Sequence, residues 1–423
     1  MSVVALVLGA LALLGTLLAT VRVNHPAETI FPVMMIGWLV GELAVFHLVA
    51  QVVAVTLLAV TGATGNALGG AGLVAFAASI GGLVAVQRTA NRAPQVFERA
   101  LRDGLGDGYA DRLAAELASA IEPPPGRQAW RPFRFDQRGV EVLKNLTYGE
   151  HPKRNRLDIV RPAGTTAGAG LPVVLFAHGG AWVIGNKEQQ GRPMLLHLAR
   201  RGYVGVTINY RLAPRHRWPA QIIDVKRAIA WVHEHGDDYG GDPSCLVVAG
   251  ASAGGHLVAL AALTPGDPAF QPGFEDADTT VAACIPIYAP FDLTDQSGRR
   301  GRAALRRFLD RLVMPTRLRD DPAAWQAASP QFRIGPAVPP MFVIQGALDT
   351  LVWREESEHF VAALRAASPA PVVYAEVPGA QHAFDTFNSV RSRAAVDAIA
   401  RFAAHVRIGR PPVADEGPAR STI

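Results

Sequence analysis

Cys245-Leu246-Val247-Val248-Ala249-Gly250-Ala251-Ser252-Ala253-Gly254-Gly255 is the stretch on which the fold turns. Its first five residues form a short apolar run, which predicts a buried strand. The chain from Gly255 to Leu263 reads as a helix. Between the two, Gly250-Ala251-Ser252-Ala253-Gly254 must turn sharply, with a serine at the tip. Glycine on either side lets strand and helix backbones approach without a Cβ clash, and the strained turn leaves the serine oxygen exposed. A serine so presented is a candidate nucleophile.

Working outward, short β-branched runs recur at Pro172–Ala177, Tyr203–Ile208, Ala282–Ile287, Met341–Gln345 and Val372–Val377. Helical segments fall between them at Glu188–Arg201, Pro219–His235, Trp353–Ala367 and Ala394–Val406. Continuous buried strands alternating with helices predict an α/β fold, a parallel sheet covered on both faces. Leu146–Gly149 and Arg156–Val160 fit an earlier antiparallel edge. The alternation breaks between Phe291 and Pro340, where an insertion at about 293–338 predicts a cap over the sheet.

A nucleophilic serine needs a base, and the base needs an acid that fixes its tautomer. Asp349 and His382 each follow a strand, at the carboxyl ends where open α/β sheets carry their sites. Asp292, after the preceding strand, is the rival acid. His178-Gly179-Gly180-Ala181-Trp182 follows the run that ends at Ala177. Successive glycines there let backbone N–H groups curl around a developing oxyanion, and the Ala253 N–H adds a donor from the serine turn. His178 reads as a prop for that loop, and His256 as packed in the helix after the serine. Cys245 and Cys284 lie in apolar strands and read as buried thiols. No three histidines have metal-ligand spacing, so no metal is expected.

The 423 residues are 49% hydrophobic and only 18% charged, with a formal net charge of +5. So much apolar surface excludes a disordered chain, and two cysteines exclude a disulfide scaffold. Arginine supplies nearly all the basic charge, without a basic stripe interleaved with aromatics, so nucleic-acid binding is not expected. Residues 1–87 hold only Arg22, Glu28 and Glu42 as charged side chains. The apolar runs Val3–Val21, Ile30–Val60 and Ala67–Val86 predict three transmembrane helices, each long enough for a hydrocarbon core of about 30 Å. Glu42, inside the second run, reads as protonated, paired with another helix, or part of a proton or substrate path. Arg22 after the first run, and Arg88, Arg92, Arg99 and Arg102 after the third, predict a multi-pass protein of the cell (inner) membrane with its large C-terminal part in the cytoplasm. Residues 88–129 read as juxtamembrane or cap helices and a Pro-rich linker, 130–410 as the catalytic domain, and 411–423 as a disordered tail. Within the insertion, Leu305, Phe308, Leu309 and Leu312 share one face of a segment whose Arg302, Arg306 and Arg307 lie elsewhere, which suits either a helix resting on anionic lipid or an ordinary cap helix.

Taken together, His178-Gly179-Gly180-Ala181-Trp182, Tyr210-Arg211-Leu212-Ala213-Pro214, Gly250-Ala251-Ser252-Ala253-Gly254-Gly255, Asp349-Thr350-Leu351-Val352 and His382-Ala383-Phe384 resemble the hormone-sensitive-lipase-like (bacterial family IV) carboxylesterases of the α/β-hydrolase fold. The resemblance spans about 130–408. It implies a mostly parallel eight-stranded sheet, a cap built from N-terminal helices and the later insertion, and hydrolysis of short to medium acyl esters without cofactor. It also implies a triad of Ser252, Asp349 and His382, an oxyanion hole of the Gly179, Gly180 and Ala253 N–H groups, and Trp182 at the substrate. The chain departs from many members in carrying Ala251 before the serine, Trp353 four residues after the acid, and the apolar N-terminal segment. An aryl-formamidase or a membrane acyltransferase would use the same triad. The expected partners are a small-molecule or lipid ester and, through the N-terminal helices, membrane lipid; the oligomeric state is left open.

Overall fold

The computed structural model describes residues 1–22, 27–63, 65–117, 132–133, 135–296 and 303–409. The Pro-rich linker, Arg302 and the C-terminal tail therefore lie outside the described residues. Eight strands form one sheet: β1 (Val140–Thr147), β2 (Arg156–Pro162), β3 (Leu171–Ala177), β4 (Val204–Ile208), β5 (Gly241–Ala251), β6 (Ala283–Ile287), β7 (Met341–Gly346) and β8 (Val372–Val377). Their order is β1-β2-β4-β3-β5-β6-β7-β8. Only β1 and β2 run antiparallel to their neighbours; β4 through β8 are parallel. The predicted antiparallel edge is thus real, and begins earlier than the apolar pattern suggested.

Alternate residues of the central strands point to opposite faces, and each face has its own core. Val173, Leu175 and Val248 pack with α8 (Ala220–His235), α9 (Ala253–Leu263) and α12 (Arg354–Ala367). Val174, Phe176, Val247 and Phe342 pack with α7 (Arg192–Ala199) and α13 (Val390–Ile408). Two further helices, α5 (Ala93–Leu105) and α6 (Tyr109–Leu117), join this second face. Phe97 meets Phe342 edge-on at 6.3 Å. Residues 88–117, anticipated partly as cap, therefore cover the sheet instead. Their stripe of Phe97, Leu101, Leu105, Tyr109 and Leu113 is buried there.

The cap is made from the later insertion, through α10 (Ala303–Phe308), a π-helical turn at Leu309–Val313 and α11 (Pro322–Ala327). Leu309 and Val313 are buried, and Leu305, Phe308 and Leu312 pack on the core beneath. The apolar face considered for lipid is consumed by the fold. What remains outward is arginine: Arg217, Arg306, Arg307, Arg311, Arg317 and Arg319 border an open hollow of about 1200 Å³.

The first 90 residues form α1 (Ser2–Leu18), α2 (Ala27–Glu42), α3 (Ala44–Val60) and α4 (Ala67–Ala90). Gly72 and Gly82 of α4 face α1, where an added Cβ would lie 2.5 Å from the Ala5 carbonyl and 2.6 Å from the Thr16 methyl. Thr16 and Ser79 bond across that contact at 2.8 Å. The second apolar run is not one straight helix: Phe31–Glu42 and Ala44–Val60 meet at 84°. At the bend, Glu42 pairs with Arg391 of α13 at 3.1 Å, both side chains 1% exposed. Among the described residues, one helical stretch, Ala67–Leu105 (α4 running into α5), is long and apolar enough to cross a membrane; the bent pair would be a second span, and α1 is a shorter apolar helix.

Candidate active site

The register of the sheet brings two glycine loops together. Ala177 of β3 pairs with Gly250 of β5, so His178-Gly179 leaves the sheet beside Ser252. Ser252 sits at φ 52°, ψ −118°, a strained conformation for a residue with a Cβ. The turn is held by Ser252 N donating to the Ile287 carbonyl at 2.8 Å and by His256 N donating to the Ser252 carbonyl at 2.9 Å. Glycine is obligatory on both sides. A Cβ on Gly250 would lie 2.5 Å from the Gly254 carbonyl oxygen, and one on Gly254 would strike the carbonyls of Ala177 and His178.

His382, five residues past β8, places Nε2 2.9 Å from Ser252 Oγ and Nδ1 2.8 Å from Asp349 Oδ2. Asp349 is fully buried. Its Oδ1 accepts the N–H groups of Leu351 and Val352, both at 2.8 Å, and Oδ2 also accepts Gln345 Nε2 at 3.1 Å. The rival Asp292 is spent locally: its carboxylate accepts from Thr294 N, Thr294 Oγ1, Asp295 N and Gln296 N. The three residues foreseen for a nucleophile, base and acid are thus in one hydrogen-bonded line. That line can pass a proton from the Ser252 hydroxyl to His382.

The glycine loop differs from expectation in one donor. Gly179 N donates to Gln190 Oε1 at 2.6 Å, which occupies that N–H. Gly180 and Ala253 N–H groups have no protein acceptor among the described residues and remain available to an oxyanion. Gly180 stands at φ 115°, and a Cβ there would strike the Ile184 carbonyl.

Residues 157–364 match the BD-FAE family. The chain is 40% identical over 344 residues to a probable carboxylic ester hydrolase, LipM, of Mycobacterium tuberculosis, covering 80% of this chain and 78% of the relative. It is 41% identical over 324 residues to esterase LipQ of the same organism, covering 74% and 75%. Among solved structures it resembles a butyrate-bound thermophilic esterase of Thermogutta terrifontis, with 26% identity, a TM-score of 0.53, and coverage of 65% of this chain and 96% of that one. The chain belongs to the hormone-sensitive-lipase-like carboxylic ester hydrolases.

Around the trio lie residues that motif spacing did not reveal. Gln381 Oε1 accepts from Thr350 N and His382 N, both at 3.1 Å, and so ties the acid loop to the base loop. The Tyr288 ring lies 4.6 Å from the His382 ring, and its hydroxyl donates to Asp385. Burial pushes the Asp385 carboxyl above its usual range. Gln381 and Asp385 flank His382 in sequence, yet nothing in their spacing signals these partners. Trp182, expected at the substrate, is 3% exposed. Its indole N–H donates to His256 Nδ1 at 3.3 Å. His256 Nε2 in turn donates to the Ala328 carbonyl of the cap at 2.7 Å. His178 stacks on Tyr210 at 4.4 Å with Nδ1 2.6 Å from the Gly179 carbonyl, a prop for the loop as foreseen. Among the described residues no cluster of His, Cys, Asp and Glu could hold a metal.

Proposed function

We propose that this hydrolase is a membrane-anchored serine carboxylesterase acting on short to medium acyl esters. The observation that carries the reading is the line Ser252 Oγ, His382 Nε2, Nδ1, Asp349 Oδ2, at 2.9 and 2.8 Å, on a serine turn at the carboxyl end of β5. His382 takes the Ser252 proton as Oγ attacks the ester carbonyl carbon. Asp349 holds the ring in the tautomer that leaves Nε2 free to accept. The carbonyl oxygen gains negative charge between the Gly180 and Ala253 N–H groups, where each fixed donor contributes about 3–4 kcal/mol to the transition state. His382 then protonates the leaving alcohol, the C–O bond breaks, and Ser252 carries the acyl group. A water that gives its proton to His382 attacks that acyl-enzyme and releases the acid. The acyl range is supported by the likeness to an esterase solved with butyrate.

Anchoring is supported by where the exposed apolar side chains lie. Val7, Leu11, Leu14, Leu57, Val60 and Val74 are each 49% exposed or more, and among the described residues only Phe133, Ile184, Phe332 and Ile408 of the large exposed hydrophobics fall beyond residue 74. A contiguous apolar surface of that kind needs lipid or protein to cover it. With the arginines on the inner side, the catalytic domain is cytoplasmic.

The test is the full chain, purified in detergent, on p-nitrophenyl esters from acetate to laurate. Ser252→Ala is expected to lower kcat by at least a thousandfold while leaving the thermal midpoint within a few degrees. Turnover retained in that variant refutes the mechanism. Acyl transfer to an added alcohol, outpacing release of free acid, would reassign the enzyme as an acyltransferase.

A further inference from the structure

The apolar N-terminal segment touches the catalytic domain at the loops that carry the base and the acid. Trp38 of α2 donates its indole N–H to the Ala383 carbonyl, next to His382, at 2.8 Å. Ala383 stands at φ 63°, a left-handed conformation that a residue with a Cβ adopts only when its surroundings hold it there. The Trp38 ring also stacks on Phe387 at 4.7 Å. On the other flank of the same loop, Arg391 Nε donates to the Pro378 carbonyl at 2.8 Å. Arg391 Nη1 reaches back to the Gly41 carbonyl at 3.0 Å and to Glu42 at 3.1 Å. The loop from Pro378 to Ala383 is therefore held at Ala383 by α2 directly, and at Pro378 by Arg391 of α13, which the end of α2 grips in turn. Arg22, after α1, makes a bidentate pair with Glu355 at 2.8 and 2.9 Å and lies over the Trp353 ring, where the acid loop enters α12.

We propose that α2 is a clamp on the acid and base loops, with Trp38 as a positioning residue for His382, so that the apolar segment is part of the catalytic apparatus as well as an anchor. The inference rests on the serine-esterase reading. A helix that served only as a tether could leave the catalytic domain on a flexible linker. Here it instead buries an ion pair against α13 and spends an indole N–H on the backbone beside the base. The consequence is kinetic. With the Ala383 carbonyl released, the peptide can leave its left-handed conformation, and the His382 ring moves with it. A displacement of about 1 Å in such a line costs up to a hundredfold in rate. The displaced group is the base, so the effect is expected in turnover rather than in substrate affinity.

Trp38→Phe keeps the stack on Phe387 and removes only the donor. In the full chain, active serines are first counted by titration with a fluorophosphonate, and kcat is expressed per titrated site, so that misfolded protein does not enter. The expected result is a per-site kcat for p-nitrophenyl butyrate lowered about tenfold, with KM within twofold of the parent. Leu39→Ala, on the exposed side of α2, is expected to leave both unchanged. A per-site kcat equal to the parent's overturns the proposal, as does a loss confined to KM or one matched by Leu39→Ala. If the parent enzyme itself fails to react with the fluorophosphonate, the serine reading fails instead, and the two failures are told apart.

Discussion

Asp349 shows how fully one buried carboxylate is committed in this site. Two backbone N–H groups fix its Oδ1, and Gln345 and His382 share its Oδ2. In Asp349→Asn the amide oxygen would keep the two backbone donors, because they lie within its own turn. The amide nitrogen would then face His382 Nδ1 and offer a donor where an acceptor stood. The imidazole answers by carrying its proton on Nε2, pointing at Ser252, and cannot take the serine proton. We expect kcat to fall by roughly 10³–10⁴ with little change in folding. Asp292→Asn, which touches only its own turn, should stay within threefold of the parent. Steady-state turnover of p-nitrophenyl butyrate measures both; equal losses in the two variants would remove Asp349 from its role.

At the scale of elements, α9 does more than present the serine. His256, one turn in, joins the glycine loop through Trp182 to the cap through Ala328. Burial lowers its pKa from 6.5 to about 4, and burial does the same for His178. The sign follows directly. In the unfolded chain these rings take up a proton near pH 6.5, whereas in the folded protein they resist until about 4. Stability is therefore full above pH 6.5 and drains away as pH falls toward 4, by roughly 3 kcal/mol for each ring. Protonation of His256 would also abolish the acceptor that Trp182 needs, loosening cap and glycine loop together. Thermal midpoints between pH 7 and 4 are expected to drop more steeply for the parent than for His256→Gln, which cannot titrate. Parallel curves would mean that this ring is not held neutral.

For the whole molecule, what the sequence disclosed and what it concealed divide along range of contact. The strands, the serine turn and the order Ser252, Asp349, His382 rest on period-two and period-3.6 patterning and on turn chemistry, which are local and so legible. Gln190 taking the Gly179 N–H, Gln381 tying two loops, and Trp38 and Glu42 reaching residues more than 340 positions away are not, because no spacing encodes a tertiary partner. The same long contacts constrain topology. Arg22 pairs with Glu355, so the turn after α1 lies on the catalytic domain's side. Under the proposed anchoring, if α1, α3 and α4 each cross the bilayer while α2 stays docked on that domain, the turn at 61–66 is expected on the opposite side. Cys245 and Cys284 are buried and give little background to a membrane-impermeant maleimide. In right-side-out vesicles Gly65→Cys should label and Glu150→Cys should not; in inverted vesicles the result reverses. Labelling of both from one side would place the apolar segment and the hydrolase in a single compartment, and α1, α3 and α4 would then have to bury their exposed faces against protein instead of lipid.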